Sequence, residues 1–386
     1  MNNARDPAHE PSPLSPQRLL DDTLHIPEAL SASFDAVAAN VIDGLHGADV
    51  ADIDAIVLAG SGDLHHSALA AELAFARLTG IPTRALTSMS LGLYHARSLT
   101  QRSVVIQMTF SGKTARAVEA ATLAHLAGAR VWGLTSVPGS PLALISERCL
   151  MKPDTGRNEA AGYPVTMLIL YLVAIRIAEM RQRIDHDQAN VLRTKLKRSA
   201  TDMRSTLDQC SPVAQKLAQE FVEMDHALFL ASGPTFASAV NGSARVFEAV
   251  GLNASAQDIE EWVHLNRWVE ETRSPSFVIV PRGPGRDRAR EVLDAMSSLG
   301  KPSVAITEDS DRELGLAAKT WLPVRCSLPE EFSPLLYHLP GELFAHLLAV
   351  RCHARPYRSD MATYLRLGEI RWGGVARTSL PPTELG

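Results

Sequence analysis

The feature that most constrains the fold is a strand–turn–helix order that occurs twice along the chain. Residues 55–59 form a short apolar run, which is followed by a glycine-containing turn and a helical pattern over residues 65–78. Residues 227–231 begin the same order again, before a helical pattern over residues 235–250. Continuous apolar runs that alternate with helices are typical of parallel sheets covered on both faces. We therefore predict one α/β unit used twice.

Further apolar runs extend each unit. They are predicted to be strands at residues 103–108, 130–135, 149–151, 276–280 and 303–307. We expect two domains, at residues 26–185 and 221–355, joined by a helical connector at residues 186–220. Residues 1–25 are rich in proline and lack an apolar core, so we expect a disordered tail there. Residues 356–386 are expected to form a C-terminal segment and tail.

Composition excludes several classes of protein. The chain has 386 residues, of which 46% are hydrophobic and 21% charged, close to the globular average. A net charge of −5 leaves no basic excess for a phosphate backbone, so no nucleic-acid partner is expected. The four cysteines form no C-x-x-C pair, which gives no support to a zinc ribbon or a disulfide scaffold.

The remaining composition signals concern location. The N-terminal residues do not resemble a signal peptide. Residues 165–175 are strongly apolar but about half the length that a bilayer span needs, so we expect a buried helix and no membrane partner. The expected location is the cytoplasm.

Three turns lie where ligands bind in doubly wound sheets, at the carboxyl ends of strands: residues 60–64, 109–114 and 283–285. None completes a dinucleotide-binding motif, because His65 and Arg288 stand where the third glycine would fall. A P-loop is also excluded, since Gln107 replaces its first glycine.

The loop at residues 109–114 is the strongest anion-binding candidate. Ser111, Gly112, Lys113 and Thr114 stand between a predicted buried strand and a predicted helix start. Free N–H groups, the helix dipole and two hydroxyls would together bind a small anion. The alternative is that Ser111 only caps the helix. Lys113 adds a cation, which favours phosphate.

The motifs in order resemble a known family. Gly60-Ser61-Gly62-Asp63, the loop at residues 109–114 and the stretch at residues 134–142 are similar to the motifs of the sugar isomerase (SIS) domain. The chain resembles double-SIS proteins: the isomerase half of glucosamine-6-phosphate synthase and the fructosamine-6-phosphate deglycases. This resemblance implies two tandem SIS domains in the α/β class, each a mainly parallel, flavodoxin-like, three-layer sheet flanked by helices.

The resemblance also implies a set of site residues. The enolising glutamate of the family falls on Glu248, and its ring-opening histidine falls on His264. In relatives this histidine commonly reaches the neighbouring subunit, which implies a homodimer with shared active sites. Further substrate contacts are implied at Gly60, Ser61, Gly62, Arg245 and Glu261. Taken alone, Glu248 would read as a surface acid and His264 as a structural residue.

The implied function is that of a phosphosugar isomerase-type enzyme acting on a sugar phosphate, with no cofactor and no metal. A carboxylate base and a histidine suit proton transfer between neighbouring carbons. The alternatives are a deglycase that uses the same pair, and a sugar-phosphate-binding regulatory protein without catalysis. His65 and His66 are expected to face solvent.

Several residues depart from the family pattern, which implies a substrate other than that of the synthase. Leu64 replaces the serine of the first turn, and Lys113 replaces a glutamate. Asn241 and Arg245 stand where the family has an acid and a lysine. Residues 358–366 contain no lysine, although the synthase uses one there, and this favours the deglycase alternative.

Overall fold

The computed structural model describes residues 15–154, 158, 160–269 and 273–364. Within them lie two five-stranded sheets whose neighbouring strands run parallel, which confirms the predicted α/β class with two units. The first sheet contains β1 (Ala55–Gly60), β2 (Thr83–Thr87), β3 (Ser103–Met108), β4 (Arg130–Thr135) and β5 (Arg148–Met151). The second contains β6 (His226–Ala231), β7 (Asn253–Asp258), β8 (Ser276–Val280), β9 (Ser303–Glu308) and β10 (Thr320–Val324).

The two sheets share one strand order. The first runs β2-β1-β3-β4-β5, and the second, read from its other edge, runs β7-β6-β8-β9-β10. Each strand of the first half therefore has a counterpart five strands later in the same position. Because the two halves have the same strand order, β1 corresponds to β6 and β3 to β8.

Three strands were not predicted from the sequence, and all of them lie at sheet edges: β2, β7 and β10. An edge strand is covered less completely, so its apolar signal is weak. β7 reads NASAQD, and β10 contains Pro323, a residue that is tolerated in a sheet chiefly at an edge.

Helices cover the sheets. In chain order they are α1 (Pro16–Leu24), α2 (Ile26–Gly44), α3 (Asp63–Thr79), α4 (Ser88–Ser90), α5 (Ala115–Leu126), α6 (Pro141–Ile145), α7 (Gly162–Met180), α8 (His186–Glu220), α9 (Phe236–Ala249), α10 (Ile259–His264), α11 (Arg286–Ser298), α12 (Arg312–Gly315), α13 (Pro334–Tyr337) and α14 (Leu339–Arg351). By length and composition α7 could cross a membrane, yet 83% of its most apolar window is buried inside the protein. It packs as the predicted core helix, against α2 and α3.

The predicted connector is a single helix, α8, of 35 residues. Asp185 begins it with a capping box, in which its carboxylate accepts from the Gln188 N–H at 2.8 Å and the Gln188 side chain accepts in return. The helix contacts α2 and α7 in the first half and α14 and β10 in the second. It therefore joins the two halves along a shared helical layer.

The predicted disordered tail at residues 1–25 is wrong for residues 15–25. Ser15 caps α1, and its hydroxyl accepts from the Arg18 N–H at 3.2 Å. Leu19 and Leu20 are buried, and the Thr23 hydroxyl lies 2.7 Å from His346 Nδ1 on α14. The neighbouring prolines favoured a prediction of disorder, although Leu19 and Leu20 supply the apolar face of a short amphipathic helix. Residues 1–14 lie outside the described residues.

The apolar stretch at residues 330–352 forms several short helices and not one long helix. A 3₁₀ turn at Glu330–Phe332 precedes α13, and α14 begins only at Leu339. Pro334 and Pro340 each lie in the first turn of a new helix, where the missing N–H costs least.

We predict that α1 contributes directly to stability. Leu19→Ala should lower the free energy of unfolding by about 2–5 kcal/mol, because it removes a side chain that is only 5% exposed. Urea denaturation of the full chain measures this change. Gln17→Ala, on the exposed face of the same helix, is the control and should change stability by less than about 0.5 kcal/mol. Equal effects of the two changes would mean that α1 is not packed on the core.

Candidate active site

Two of the predicted turns begin side by side at one edge of the first sheet. β1 and β3 are parallel neighbours, and Ala59 lies opposite Gln107. The turn Gly60–Asp63 therefore leaves the sheet next to the loop that begins at Thr109. The carboxyl edge of parallel strands is where such folds bind ligands.

Residues 109–114 form a loop that brings several hydroxyl groups together at the start of α5, and we call it the hydroxyl-lined loop. The Thr109 hydroxyl lies 2.8 Å from the Thr114 hydroxyl and 3.5 Å from the Ser111 hydroxyl. The N-cap of α5 is Thr114, and no side chain caps the first-turn N–H groups of this helix. Ser111, the cap under the alternative interpretation, instead accepts from the Lys113 N–H at 3.3 Å, and the Lys113 residue is exposed. Thr109 was not among the predicted site residues.

Two glycines are required by the backbone at this edge. Gly112 has φ of +66°, and a Cβ there would lie 2.0 Å from Ser140 Oγ. A Cβ on Gly60 would lie 2.6 Å from Leu64 Cβ. Leu64 is buried, so the residue that replaces the family serine packs under the turn and does not face a ligand.

The centre of the site is the buried guanidinium of Arg245 on α9. It donates to Asp63 Oδ2 at 2.5 Å and to Glu248 Oε2 at 2.5 Å, and its Nε lies 4.0 Å from Glu342 Oε2. Asp63 begins α3 in the first half, and Glu342 belongs to α14. The Tyr357 hydroxyl also donates to Glu248 Oε2, at 3.4 Å. Arg245 thus brings Glu248 of the second half to the carboxyl edge of the first sheet.

The charges in this cluster act on one another. Burial by itself would raise the pKa of Asp63, but Arg245 and His66 hold it well below its usual range. Burial raises the pKa of Glu248 and the negative Asp63 adds to this effect, while Arg245 opposes it. The net direction for Glu248 is upward. A carboxylate with a raised pKa is a stronger base, and its side chain is still 34% exposed and so accessible to a ligand.

Glu342 lies behind Arg245 in the interior, with 1% of its side chain exposed. Burial, reinforced by Asp63 and Glu248, raises its pKa to about 7, although Arg245 and the Thr23 hydroxyl favour the charged form. His338 lies one helical turn away, with Nε2 3.9 Å from Glu342 Oε2. Burial lowers the pKa of His338 to about 4, so this ring is neutral at physiological pH.

The two histidines that could serve catalysis lie in different places. His264, the predicted ring-opening residue, is on α10 with 64% of its side chain exposed, and its Nε2 lies 3.2 Å from Glu260 Oε1. No contact joins it to Glu248 in the part of the chain that the structure describes. His66, expected to face solvent, has only 12% of its side chain exposed, and its Nδ1 lies 3.6 Å from Asp63 Oδ1. That expectation is therefore wrong for His66.

Lys152 is a further charged residue of this region, and no sequence motif indicates it. It follows β5 and is buried, and its Nζ lies 3.8 Å from the centroid of the Phe110 ring in the hydroxyl-lined loop. Burial lowers its pKa to about 8, against the pull of Asp63 and Asp154. Its side chain reaches the loop from two strands away, a contact that no local motif encodes.

The other predicted residues are peripheral. Ser61 and Gly62 are exposed at the rim of the turn, and Glu261 is exposed on α10 beside His264. Across the described ranges, no group of three or more His, Cys, Asp or Glu side chains is placed to hold a metal ion.

Comparison with known proteins agrees with this architecture. Residues 50–176 match the SIS domain family. The chain is 26% identical over 321 residues to glutamine–fructose-6-phosphate aminotransferase (isomerizing) of Nostoc sp., and 24% identical over 336 residues to that of Pyrococcus horikoshii. These alignments cover 78% and 86% of this chain but 49% and 54% of the relatives, so the chain spans about half their length.

Solved structures show the same fold. The C-terminal domain of glucosamine-fructose-6-phosphate aminotransferase from Francisella tularensis matches with a TM-score of 0.75 at 16% identity, covering 87% of this chain and 96% of that one. Glucosamine-6-phosphate deaminase from Thermotoga maritima matches with a TM-score of 0.70 at 18% identity, covering 88% and 96%. At such low identities these likenesses establish the fold alone.

We predict that Glu342 makes stability depend on pH. Its folded pKa of about 7 exceeds the usual 4.5, so its contribution is fully present below pH 4.5 and is lost as pH rises through 7. Glu342→Gln should therefore gain stability relative to the wild type between pH 5 and pH 8, by on the order of 3 kcal/mol. Urea denaturation at the two pH values measures this difference. Glu223→Gln, an exposed control, should show no such change, and a pH-independent difference for Glu342→Gln would contradict the assignment.

Proposed function

Because residues 50–176 are a SIS domain, we propose that this chain is a phosphosugar isomerase-type enzyme. It would move a carbonyl between C1 and C2 of an aldose, ketose or amino-sugar phosphate, through an enediol or enolamine, without a cofactor. The proposed enzyme is a cytoplasmic homodimer with shared active sites.

One observation carries this proposal. Arg245 bonds both Glu248 and Asp63, and so the expected base lies at the same sheet edge as the hydroxyl-lined loop. Arg245 and Glu248 belong to the second half and Asp63 to the first, so this pairing joins the expected base to the turn beside the loop at residues 109–114. Its raised pKa and partial exposure suit a base that takes a proton from one carbon and returns it to the next.

The loop at residues 109–114 is the proposed phosphate site. The hydroxyls of Ser111 and Thr114, the backbone at Gly112 and the uncapped start of α5 supply donors to a phosphate. Lys113 and Lys152 add positive charge on either side of the loop. Binding the phosphate there would fix the reacting carbons near Glu248 and so contribute to catalysis from a distance.

His264 is the proposed ring-opening acid, supplied by the partner subunit. Its neighbours on the same surface are the exposed apolar side chains of Leu265, Trp268 and Val269, which are 55%, 71% and 53% exposed. Exposed apolar side chains that cluster in this way favour an interface between proteins. A second copy seated there would bury this patch and carry His264 toward a site on its partner.

A deglycase that releases an amine from a fructosamine phosphate is the second candidate. The absence of lysine from residues 358–366 favours it, since the synthase-type reaction uses a lysine in that stretch. Both candidates need the same carbon acid chemistry at Glu248. Incubation with a panel of sugar phosphates in D₂O separates both from a regulatory protein, since an enzyme labels C1 or C2 and a sensor only binds.

We predict that Glu248→Gln strongly lowers turnover but leaves the affinity for the sugar phosphate nearly unchanged. The amide cannot accept the proton, so turnover should fall by about 10²–10⁴-fold. Calorimetric titration with the sugar phosphate that is turned over should give nearly the same affinity for both proteins. Glu223→Gln, an exposed control, should be fully active. Unchanged turnover in Glu248→Gln would rule out the proposed role.

A complementation assay tests the origin of the histidine. His264→Gln and Glu248→Gln chains should each be inactive alone, and mixed dimers should regain activity, because one of their two sites would be intact. His66→Gln mixed with Glu248→Gln is the matched control. If His66 were the ring-opening residue of its own chain, that mixture would stay inactive and His264→Gln would keep its activity.

A further inference from the structure

The second sheet has a cavity at the edge that corresponds to the proposed active site. Its volume is about 250 Å³, and it lies where β8, β9 and β10 end. The polar side chains that line it are Arg282, Glu308, Ser327, Glu330, Ser333 and Tyr337. Since β8 is the counterpart of β3, the loop after β8 occupies the place that the hydroxyl-lined loop holds in the first half. None of the residues predicted from sequence for the active site lines this cavity.

Two hydroxyl groups of the lining have no partner within the described residues. Ser333 and Tyr337 are 1% and 0% exposed, and neither Ser333 Oγ nor the Tyr337 hydroxyl makes a hydrogen bond there. Leaving a buried polar group without a hydrogen-bond partner destabilises a fold. A fold that retains two such groups beside one cavity has donors and acceptors ready for a ligand.

The charge of the cavity differs from that of the loop at residues 109–114. Glu308 and Glu330 are mostly buried, with 13% and 19% of their side chains exposed. Arg282 is 80% exposed and already pairs with Glu308 at 3.3 Å, and Arg77 pairs with Glu330 at 3.2 Å. Arg77 is not part of the lining, so the cavity is lined by two carboxylates and the one guanidinium of Arg282.

In the loop after β8, a carboxylate lies where a phosphate would have to bind. A Cβ on Gly283 would lie 2.4 Å from Glu330 Oε1, so the Glu330 carboxylate rests against the backbone of the loop. In the first half, a Cβ on Gly112 would instead meet the uncharged side chains of Ser140 and Thr135. A phosphate brought to the second loop would meet this negative charge at close range.

We propose that this cavity is a second ligand site, and that it binds a small unphosphorylated polyhydroxylated amine of the amino-sugar class. The ammonium group would pair with Glu308 or Glu330, and the ligand hydroxyls would bond to Ser333 and Tyr337. The volume lies below the roughly 300–1,000 Å³ of sites for drug-sized ligands, which fits a single sugar ring. The proposal does not depend on the proposed function, because it uses no residue of the first site.

Calorimetric titration of the full-length protein with D-glucosamine tests the proposal, with sorbitol and inorganic phosphate as comparisons. We expect saturable binding of glucosamine, weaker binding of sorbitol because it lacks the ammonium group, and no competition by phosphate. Failure of glucosamine to bind at millimolar concentrations would overturn the proposal. Competition by phosphate would overturn the assigned ligand class.

Two variants locate the site. Tyr337→Phe and Ser333→Ala should each weaken glucosamine binding by up to about tenfold, the value of one hydrogen bond. Without ligand, Tyr337→Phe should melt no lower than the wild type, because it removes only an unpartnered hydroxyl. Ser111→Ala, in the first site, is the control and should leave glucosamine affinity unchanged. Equal affinity in the wild type and both cavity variants, or a loss confined to Ser111→Ala, would place the ligand elsewhere and refute the proposal.

Discussion

The docking of the two halves depends on the ion pairs of the buried Arg245 side chain. Its guanidinium is buried among carboxylates from three helices: Asp63 of α3, Glu248 of α9 and Glu342 of α14. Removing such a cation from water is costly, and only close, well-oriented carboxylates offset the cost. Because Asp63 belongs to the first half and the other two to the second, the cost is offset only when the halves are docked. The same pairing that holds the halves together therefore also positions Glu248, the proposed base.

Three carboxylates around one cation cannot all be ionised with equal ease. Asp63, which has a close bond to Arg245, keeps its charge, whereas Glu342, 4.0 Å from the guanidinium and deeper in the protein, has a pKa near neutrality. Glu248 lies between these extremes, bonded to Arg245 but raised by burial and by its negative neighbour. The basicity of Glu248 is in this way a property of the whole cluster. Different environments separating the pKa values of neighbouring acids is a common basis for acid–base chemistry.

Sequence reasoning succeeded where the signal is local and failed where it depends on distant contacts. The central strands could be predicted because burial on both faces demands continuous apolar residues, whereas edge strands such as β7 lack that demand. The loop at Ser111 could be predicted because strand end, hydroxyls and helix start are adjacent in sequence. The roles of Asp63 and Lys152 could not, because Asp63 meets Arg245 across 182 positions and Lys152 reaches Phe110 through the fold.

The short helix α1 has a consequence for how this protein is handled. Its Thr23 hydroxyl lies 2.7 Å from His346 Nδ1 and 3.3 Å from Glu342 Oε1. Helix α1 therefore covers the buried titratable residues of α14. A fragment that begins at residue 25, where the sequence predicts a disordered tail, would expose these groups to water. Fragment boundaries, tags and cleavage sites therefore belong before Ser15. A cut inside α1 would change the pKa of Glu342 and, through Arg245, that of Glu248.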